Sequence, residues 1–324
     1  MPWLEDLKFP RGYQMGTHNK LLGASLAVVM GISACATNVF AIDTSVIDEK
    51  WGKPTVVYGG GLTNDQIQST RDLFDIEDTN NVYETSVDAN DLYNYLGIAG
   101  GDTSSLISSV MVQKQDAGKG VKVKIITEDN ITKITSNQYA NAAITAGVSD
   151  VEIDVASVSK VTGESALTGV YKALEANGET LDLDRTQVAQ DELETTNEIA
   201  ENNADNSNFD SGRLDQAMVE IKQELAEIKK NQGSAATAEQ VEQVVTDALK
   251  KFNLSDIISQ DDIDKLIAFA KKYQNTSAID SQEVLEQLNK LSGNLKNQLS
   301  GLINKAQSEG WFDKIINFIK NLFN

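Results

Sequence analysis

Val121-Lys122-Val123-Lys124-Ile125, then Thr135 through Gly147, then Val151-Glu152-Ile153-Asp154-Val155 are the stretches whose reading decides the fold of this chain. In the first and third, valine and isoleucine alternate with charged residues, the period of two expected of a strand with one buried face. Between them, Thr135 and Gln138 have the spacing of a capping box, Ala140, Ala142, Ala143 and Ala146 supply good helix formers, and Gly147 provides a stop. Strand, helix and strand over this length suit a parallel crossover, and the small alanine side chains let the helix lie close on a sheet.

Working outward, Thr55-Val56-Val57-Tyr58 is a short β-type run ending in Gly59-Gly60-Gly61, and Thr63 with Gln66 forms a second capping box for a helix through Phe74. The glycine run lacks the lysine or further glycines of a phosphate-binding loop, so it reads as a tight turn. On the other side, Leu167, Val170, Tyr171 and Leu174 fall at helical spacing before Gly178. The expected fold class is therefore α/β, or α+β, over residues 52–180, with a βαβ unit at its centre and enough structure to fold alone.

The rest of the chain divides by composition. From Leu181 to Gly212 acidic and amide residues dominate, including Glu201-Asn202-Asn203-Ala204-Asp205-Asn206-Ser207-Asn208, and the expectation for 181–212 is an acidic linker. Its acids do not fall at EF-hand spacing, so calcium is not expected. Residues 213–310 read as a helical bundle or coiled-coil-like region. Leu214, Met218, Ile221, Leu225 and Ile228 make one heptad seam, and Leu288, Leu291, Leu295, Leu299 and Leu302 make another. Val241, Val244, Ala248 and Phe252, then Ile263, Leu266, Ile267 and Ala270, mark two amphipathic helices between them. Such seams serve contacts within one chain or between two.

Asn130-Ile131-Thr132, the run Tyr139-Ala140-Asn141-Ala142-Ala143-Ile144-Thr145-Ala146-Gly147, and Gly163 followed by Ala166-Leu167-Thr168-Gly169 and Lys172-Ala173-Leu174-Glu175 resemble the YpuA-like family of Gram-positive bacteria. The resemblance covers about residues 55–195, with a looser match in the helical tail. It implies a secreted product of a family of unknown function, and it carries no catalytic residue over. Met1 to Gln14 have no counterpart in the family pattern.

Residues 1–41 have the parts of a secretory signal. His18 and Lys20 precede the apolar run Leu21 to Ala34, which is shorter than the roughly 20 residues a bilayer-spanning helix needs. Val39-Phe40-Ala41 then offers a cleavage site. Counted from Met15 the leader has a more usual length, which points to Met15 as the start. Ile32-Ser33-Ala34-Cys35 offers a competing lipoprotein reading, with the chain anchored at Cys35. His18 and Cys35 are the only histidine and cysteine, so a chain cut after Ala41 has neither. Disulfides, Ser-His-Asp or Cys-His catalysis and zinc sites of His or Cys are then excluded, and no metal or cofactor is expected. The net charge is −20, and removing a leader with Lys8, Arg11 and Lys20 against Glu5 and Asp6 brings it to about −21. So acidic a surface is repelled by polyanions, and nucleic acid is not an expected partner.

The catalytic sets that remain are weak. Ser157-Val158-Ser159-Lys160 matches S-x-x-K, but it follows a strand where that motif opens a helix, and no K-T-G accompanies it. Glu152 and Asp154 sit two apart on one strand, with Cα atoms about 7 Å apart, a separation that inverting glycosidases use. Opposite them Lys122 and Lys124 make an ordinary charge ladder the simpler expectation. The strongest functional signal is terminal. In 311–324, Trp311, Phe312, Ile315, Ile316, Phe318, Ile319, Leu322 and Phe323 fill one broad helical face, and Asp313, Lys314, Asn317, Lys320 and Asn321 fill the other. The alternatives are an amphipathic helix that docks on a membrane surface or an envelope protein, and one that closes its own bundle. The expected protein is a secreted, acidic, non-enzymatic envelope protein; the alternative is an extracellular carboxylate-dependent hydrolase acting on wall polysaccharide. Intact-mass measurement of the exported species should give a chain beginning at Ile42, whereas a species beginning at lipid-modified Cys35 would replace cleavage after Ala41 by anchoring.

Overall fold

The alternation at residues 121–125 and 151–155 builds the outer half of a five-stranded sheet. In the computed structural model, which describes residue 42 and residues 51–308 with side chains to residue 297, the strands are β1 (Thr55–Gly59), β2 (Tyr83–Val87), β3 (Ser109–Lys114), β4 (Val121–Ile125) and β5 (Val151–Ala156). Their order across the sheet is β2-β1-β3-β5-β4. The pairs β1/β2 and β4/β5 are parallel, and β3 runs antiparallel between them. Helix α1 (Asn64–Leu73) links the first parallel pair and α3 (Ser136–Ala146) the second. Both capping boxes form, at Thr63/Gln66 and Thr135/Gln138, and Gly147 ends α3 in the left-handed conformation. Helix α2 (Ala89–Leu96) follows β2 and α4 (Ala166–Ala176) follows β5. The chain continues as α5 (Leu183–Asn202), α6 (Ser211–Gln232), α7 (Ala238–Lys251), α8 (Gln260–Tyr273) and α9 (Gln282–Ser308). This is an α/β domain followed by a helical region.

Side-chain alternation gives the sheet two unlike faces. On the first, Val57, Val110 and Val155 lie in one row and Val112 and Ile153 in the next, all buried under α3 and α4. Every residue of α3 from Gln138 to Ala146 is buried, because α5, α6 and α9 cover the side of α3 that turns away from the sheet. A helix enclosed on all sides must carry small or apolar residues around its whole circumference, which is what the alanine-rich run supplies. On the second face, Val56, Tyr58 and Met111 form a smaller cluster with Phe74, Ile76, Val82, Ala156 and the buried Ile42.

Two expectations need correction. Residues 183–202 are helix α5, not linker, and this helix lies against α3. It buries Val188, Ala189, Leu193 and Ile199, together with Thr186, Glu192, Thr196 and Asn197. Its polar residues are buried through hydrogen bonds: Thr186 donates to the Tyr95 carbonyl, and Thr196 to that of Glu192. Even the amide run is engaged, since Asn202 and Asn203 donate to the carboxylate of Asp262 in the first turn of α8. Nor do residues 52–180 stand as a separate unit. One continuous core runs from Val57 in β1 to Leu295 in α9. The seam Leu214, Met218, Ile221 and Leu225 is buried in α6, as are Leu288, Leu291 and Leu295 in α9, all within this chain. In α8 the buried face centres on Leu266, Phe269, Ala270 and Tyr273, with Ile263 and Ile267 at its margin. Residues 1–41, where a secretory signal is expected, and the terminal segment 311–324 lie outside the described residues.

A fragment of residues 52–180 leaves the outer side of α3 bare and should show no cooperative thermal transition. A sharp melting transition in that fragment would show the sheet layer to be self-sufficient.

Candidate functional site

The register across the second sheet face sets the candidate carboxylates. Val56, Met111, Asp154 and Lys124 form one row across β1, β3, β5 and β4; Gln113, Glu152 and Lys122 form the next. Glu152 and Asp154 thus sit side by side, each opposite a lysine on the edge strand, and the charge ladder read from the alternation is present. The two carboxylates differ in access. Glu152 is partly exposed, whereas Asp154 is 1% exposed and lies beside Met111 in the row. Its Oδ2 accepts a hydrogen bond of 3.2 Å from the backbone N–H of Ile42, whose side chain is itself buried in the cluster of Val56, Tyr58 and Phe74. Its Oδ1 has no hydrogen-bond partner among the described residues. Burial pushes Asp154 up to about 6, Lys124 and the Ile42 N–H opposing, and it also raises Glu152 against the pull of Lys122 and Lys124. An acid poised near 6 has the proton affinity of a general acid, but one roofed by Ile42 has no open path to a polysaccharide.

At the β2 side of the same face, Arg71 from α1 grips Glu84 through Nε and Nη2 at 2.8 and 3.0 Å, and Tyr58 donates its hydroxyl proton to the same carboxylate. Burial raises Glu84, yet the bonds from Arg71 and Tyr58 outweigh it and leave the carboxyl below its ordinary range. This cluster pins α1 over β1 and β2.

The other candidate motifs resolve into structure. A Cβ added to Gly59, Gly60 or Gly61 would lie 2.2 to 2.4 Å from the carbonyl oxygens of Leu106, Val87 and Ser104, so these glycines serve a close backbone approach. Ser157 follows β5 without opening a helix, and its Oγ donates to the carbonyl of Ser159 at 2.7 Å. No group of three His, Cys, Asp or Glu side chains suited to a metal ion occurs among the described residues. No described helix is long and apolar enough to cross a membrane. A groove of about 400 Å³ runs along the β4 edge, between Lys122 and Val123 on one side and Asn294 and Asn297 of α9 on the other.

One cluster had no signal in the periodicity. Lys222 in α6 is fully buried, and its ammonium donates to Glu192 Oε1 of α5 at 2.7 Å, to Thr145 Oγ1 of α3 at 3.1 Å and to the side-chain oxygen of Asn141 in α3. Thr145 donates in turn to the other oxygen of Glu192. Burial lowers Lys222, with Glu192 opposing, and drives the nearby Asp215 up to about 8. The position of Lys222 one residue after the seam residue Ile221 was the available hint. A charge so enclosed and so fully bonded clamps three helices and has no path to a substrate.

A family profile described as "Protein of unknown function (DUF1002)" matches residues 58–291. The chain is also 29% identical over 300 residues to the "Uncharacterized protein YpuA" of Bacillus subtilis (strain 168), an alignment covering 91% of this chain and 96% of that protein. The resemblance carried by the residues around Tyr139 to Gly147 is thereby confirmed. No solved structure matches.

Lys222→Met should destabilise the fold by about 3–5 kcal/mol in chemical denaturation, because it strands Glu192 without its partner. The double change with Glu192→Leu should recover most of that loss. A double variant no more stable than the single one would show that the clamp works through something other than charge pairing.

Proposed function

We propose that this chain, which belongs to the DUF1002 family of proteins of unknown function, is exported and works outside the cell as a non-catalytic body that docks on a membrane surface through residues 311–324. The observation that carries the non-catalytic reading is the placing of Asp154. The carboxylate best suited to pair with Glu152 in hydrolysis is sealed under Ile42 and the apolar cluster beside it.

Docking is supported by the composition of the terminal segment, where apolar residues fill one helical face and polar ones the other. Eight large apolar residues from Trp311 to Phe323 provide ample driving force, since burying each fully is worth about 1.5–3 kcal/mol before discounts for ordering and partial burial. Lys314 and Lys320 on the polar face suit anionic headgroups, whereas the acidic body opposes approach at low salt.

Truncation after Gly310 should abolish partitioning of the exported protein to liposomes containing anionic lipid and leave its melting temperature unchanged, and Phe318→Asp should mimic the truncation. Loss of melting temperature with partitioning intact would assign the segment to the bundle instead. The hydrolase alternative makes its own demand: turnover of wall polysaccharide that is abolished by both Glu152→Gln and Asp154→Asn.

A further inference from the structure

Asp154 is an incompletely satisfied buried carboxylate, and the group that reaches it is unusual. Oδ2 is met by one backbone N–H at 3.2 Å, that of Ile42, while Oδ1 has no hydrogen-bond partner among the described residues. The side chain of Ile42 is 6% exposed and is held by Val56, Tyr58, Phe74, Ile76 and Met111. The nitrogen of Ile42 is therefore fixed at the carboxylate by packing as well as by the hydrogen bond. Independently, Ile42 is the residue that the small-residue site Val39-Phe40-Ala41 leaves at the front of the chain when a signal is removed.

We propose that Asp154 is the receptor for the amino terminus created by processing, so that cutting between Ala41 and Ile42 turns a half-satisfied carboxylate into a buried ion pair that locks the front of the chain onto the second face of the sheet. This deepens the export reading above and rests on it. Hydrolysis breaks the Ala41–Ile42 peptide bond and adds water. The new carboxylate leaves with the leader, and the Ile42 nitrogen takes up the proton balance as an α-ammonium. One amide N–H is thereby replaced by three charged donors, enough to serve Oδ2 and Oδ1 together, and charge-assisted bonds are about twice as strong as neutral ones.

The titration follows from the groups that face Asp154: the Ile42 nitrogen, Glu152 on its own strand, Lys124 opposite it on β4 and Asp75 after α1. In the unprocessed chain burial raises Asp154 to about 6, above its unfolded value, so its contribution favours the fold at low pH and is lost as pH rises through 6. In the processed chain the ammonium reverses that loss. An α-amine titrates near 7.7–8.0 when unfolded and higher when paired, so its contribution is present below that range and lost as pH rises through the folded value. The advantage of the processed chain should be greatest near neutrality, where both partners are charged.

The test places a site-specific protease sequence before Ile42 in the full chain and compares the protein before and after the cut. Cutting so that Ile42 becomes the first residue should raise the melting temperature at pH 7 by roughly 5 °C. The rise should vanish in Asp154→Asn, vanish when the cut leaves one extra glycine before Ile42, and shrink above pH 9. In the folded, correctly cut protein the α-amine should also resist carbamylation by cyanate and should react once the chain is unfolded. A rise that survives Asp154→Asn, or a folded α-amine that reacts freely, overturns the ion pair. If the correctly cut protein passes these tests yet the exported species begins at another residue, the proposed processing is overturned while export stands, and a chain that never leaves the cell removes the export premise itself; an exported species that begins at Ile42 but is indifferent to Asp154→Asn leaves export standing and removes the receptor.

Discussion

The contact between Lys222 and Glu192, shared with Asn141 and Thr145, is the constraint on which the rest of the structure hangs. It joins α6, α5 and α3 at one buried point, and α3, with α4, is one of the helices that lie directly on the first face of the sheet. Desolvating an ammonium and a carboxylate costs several kcal/mol each, and only close pairing with every remaining donor and acceptor occupied offsets it. The arrangement therefore tolerates little slack. Moving α6 along α3 by one turn, about 5.4 Å, would leave Lys222 without its oxygens, so the clamp specifies register where an apolar seam alone would permit sliding.

That constraint has a consequence for the sheet. With α3 held from behind, it lies against β4 while α4 covers β1 and β3, and together they close the first sheet face. Whatever surface the sheet offers for chemistry must lie on its second face. There the polar rows end at the edge strand, and Lys122 and Lys124 give β4 the charged edge that discourages pairing with other chains. At the interior end of the same rows, Asp154 is held under Ile42. The charges of this face thus serve to close and protect the sheet, and the two neighbouring carboxylates on it are unlike, Glu152 partly exposed and Asp154 sealed.

The βαβ unit was legible because each of its signals is local: alternation in 121–125 and 151–155, a cap at Thr135, a stop at Gly147. Strands β2 and β3 carry no such local signal. Tyr-Glu-Thr-Ser-Val in β2 has little apolar period, and Ser-Val-Met-Val-Gln-Lys in β3 is a central strand buried on both faces, where alternation carries no information. Helix α5 reads as linker in the sequence because few of its residues are apolar. Burial there is supported by Thr186, Glu192 and Thr196 finding partners that are distant in sequence or on the same helix, and no window of composition records such partners. The candidate site divides the same way. Spacing placed Glu152 and Asp154 on one face opposite the two lysines, but the roof over Asp154 is a residue 112 positions away.

The central claim is that sheet and helices form one cooperative body fastened through α3, and native-state hydrogen exchange tests it most directly. If the claim holds, the slowest amides of β3, β5, α3, α5 and α6 will exchange through a single global opening, with one free energy and one denaturant dependence. If α5 and α6 open at a markedly lower free energy while the sheet and α3 remain protected, the clamp at Lys222 does not unite the body and the claim is wrong.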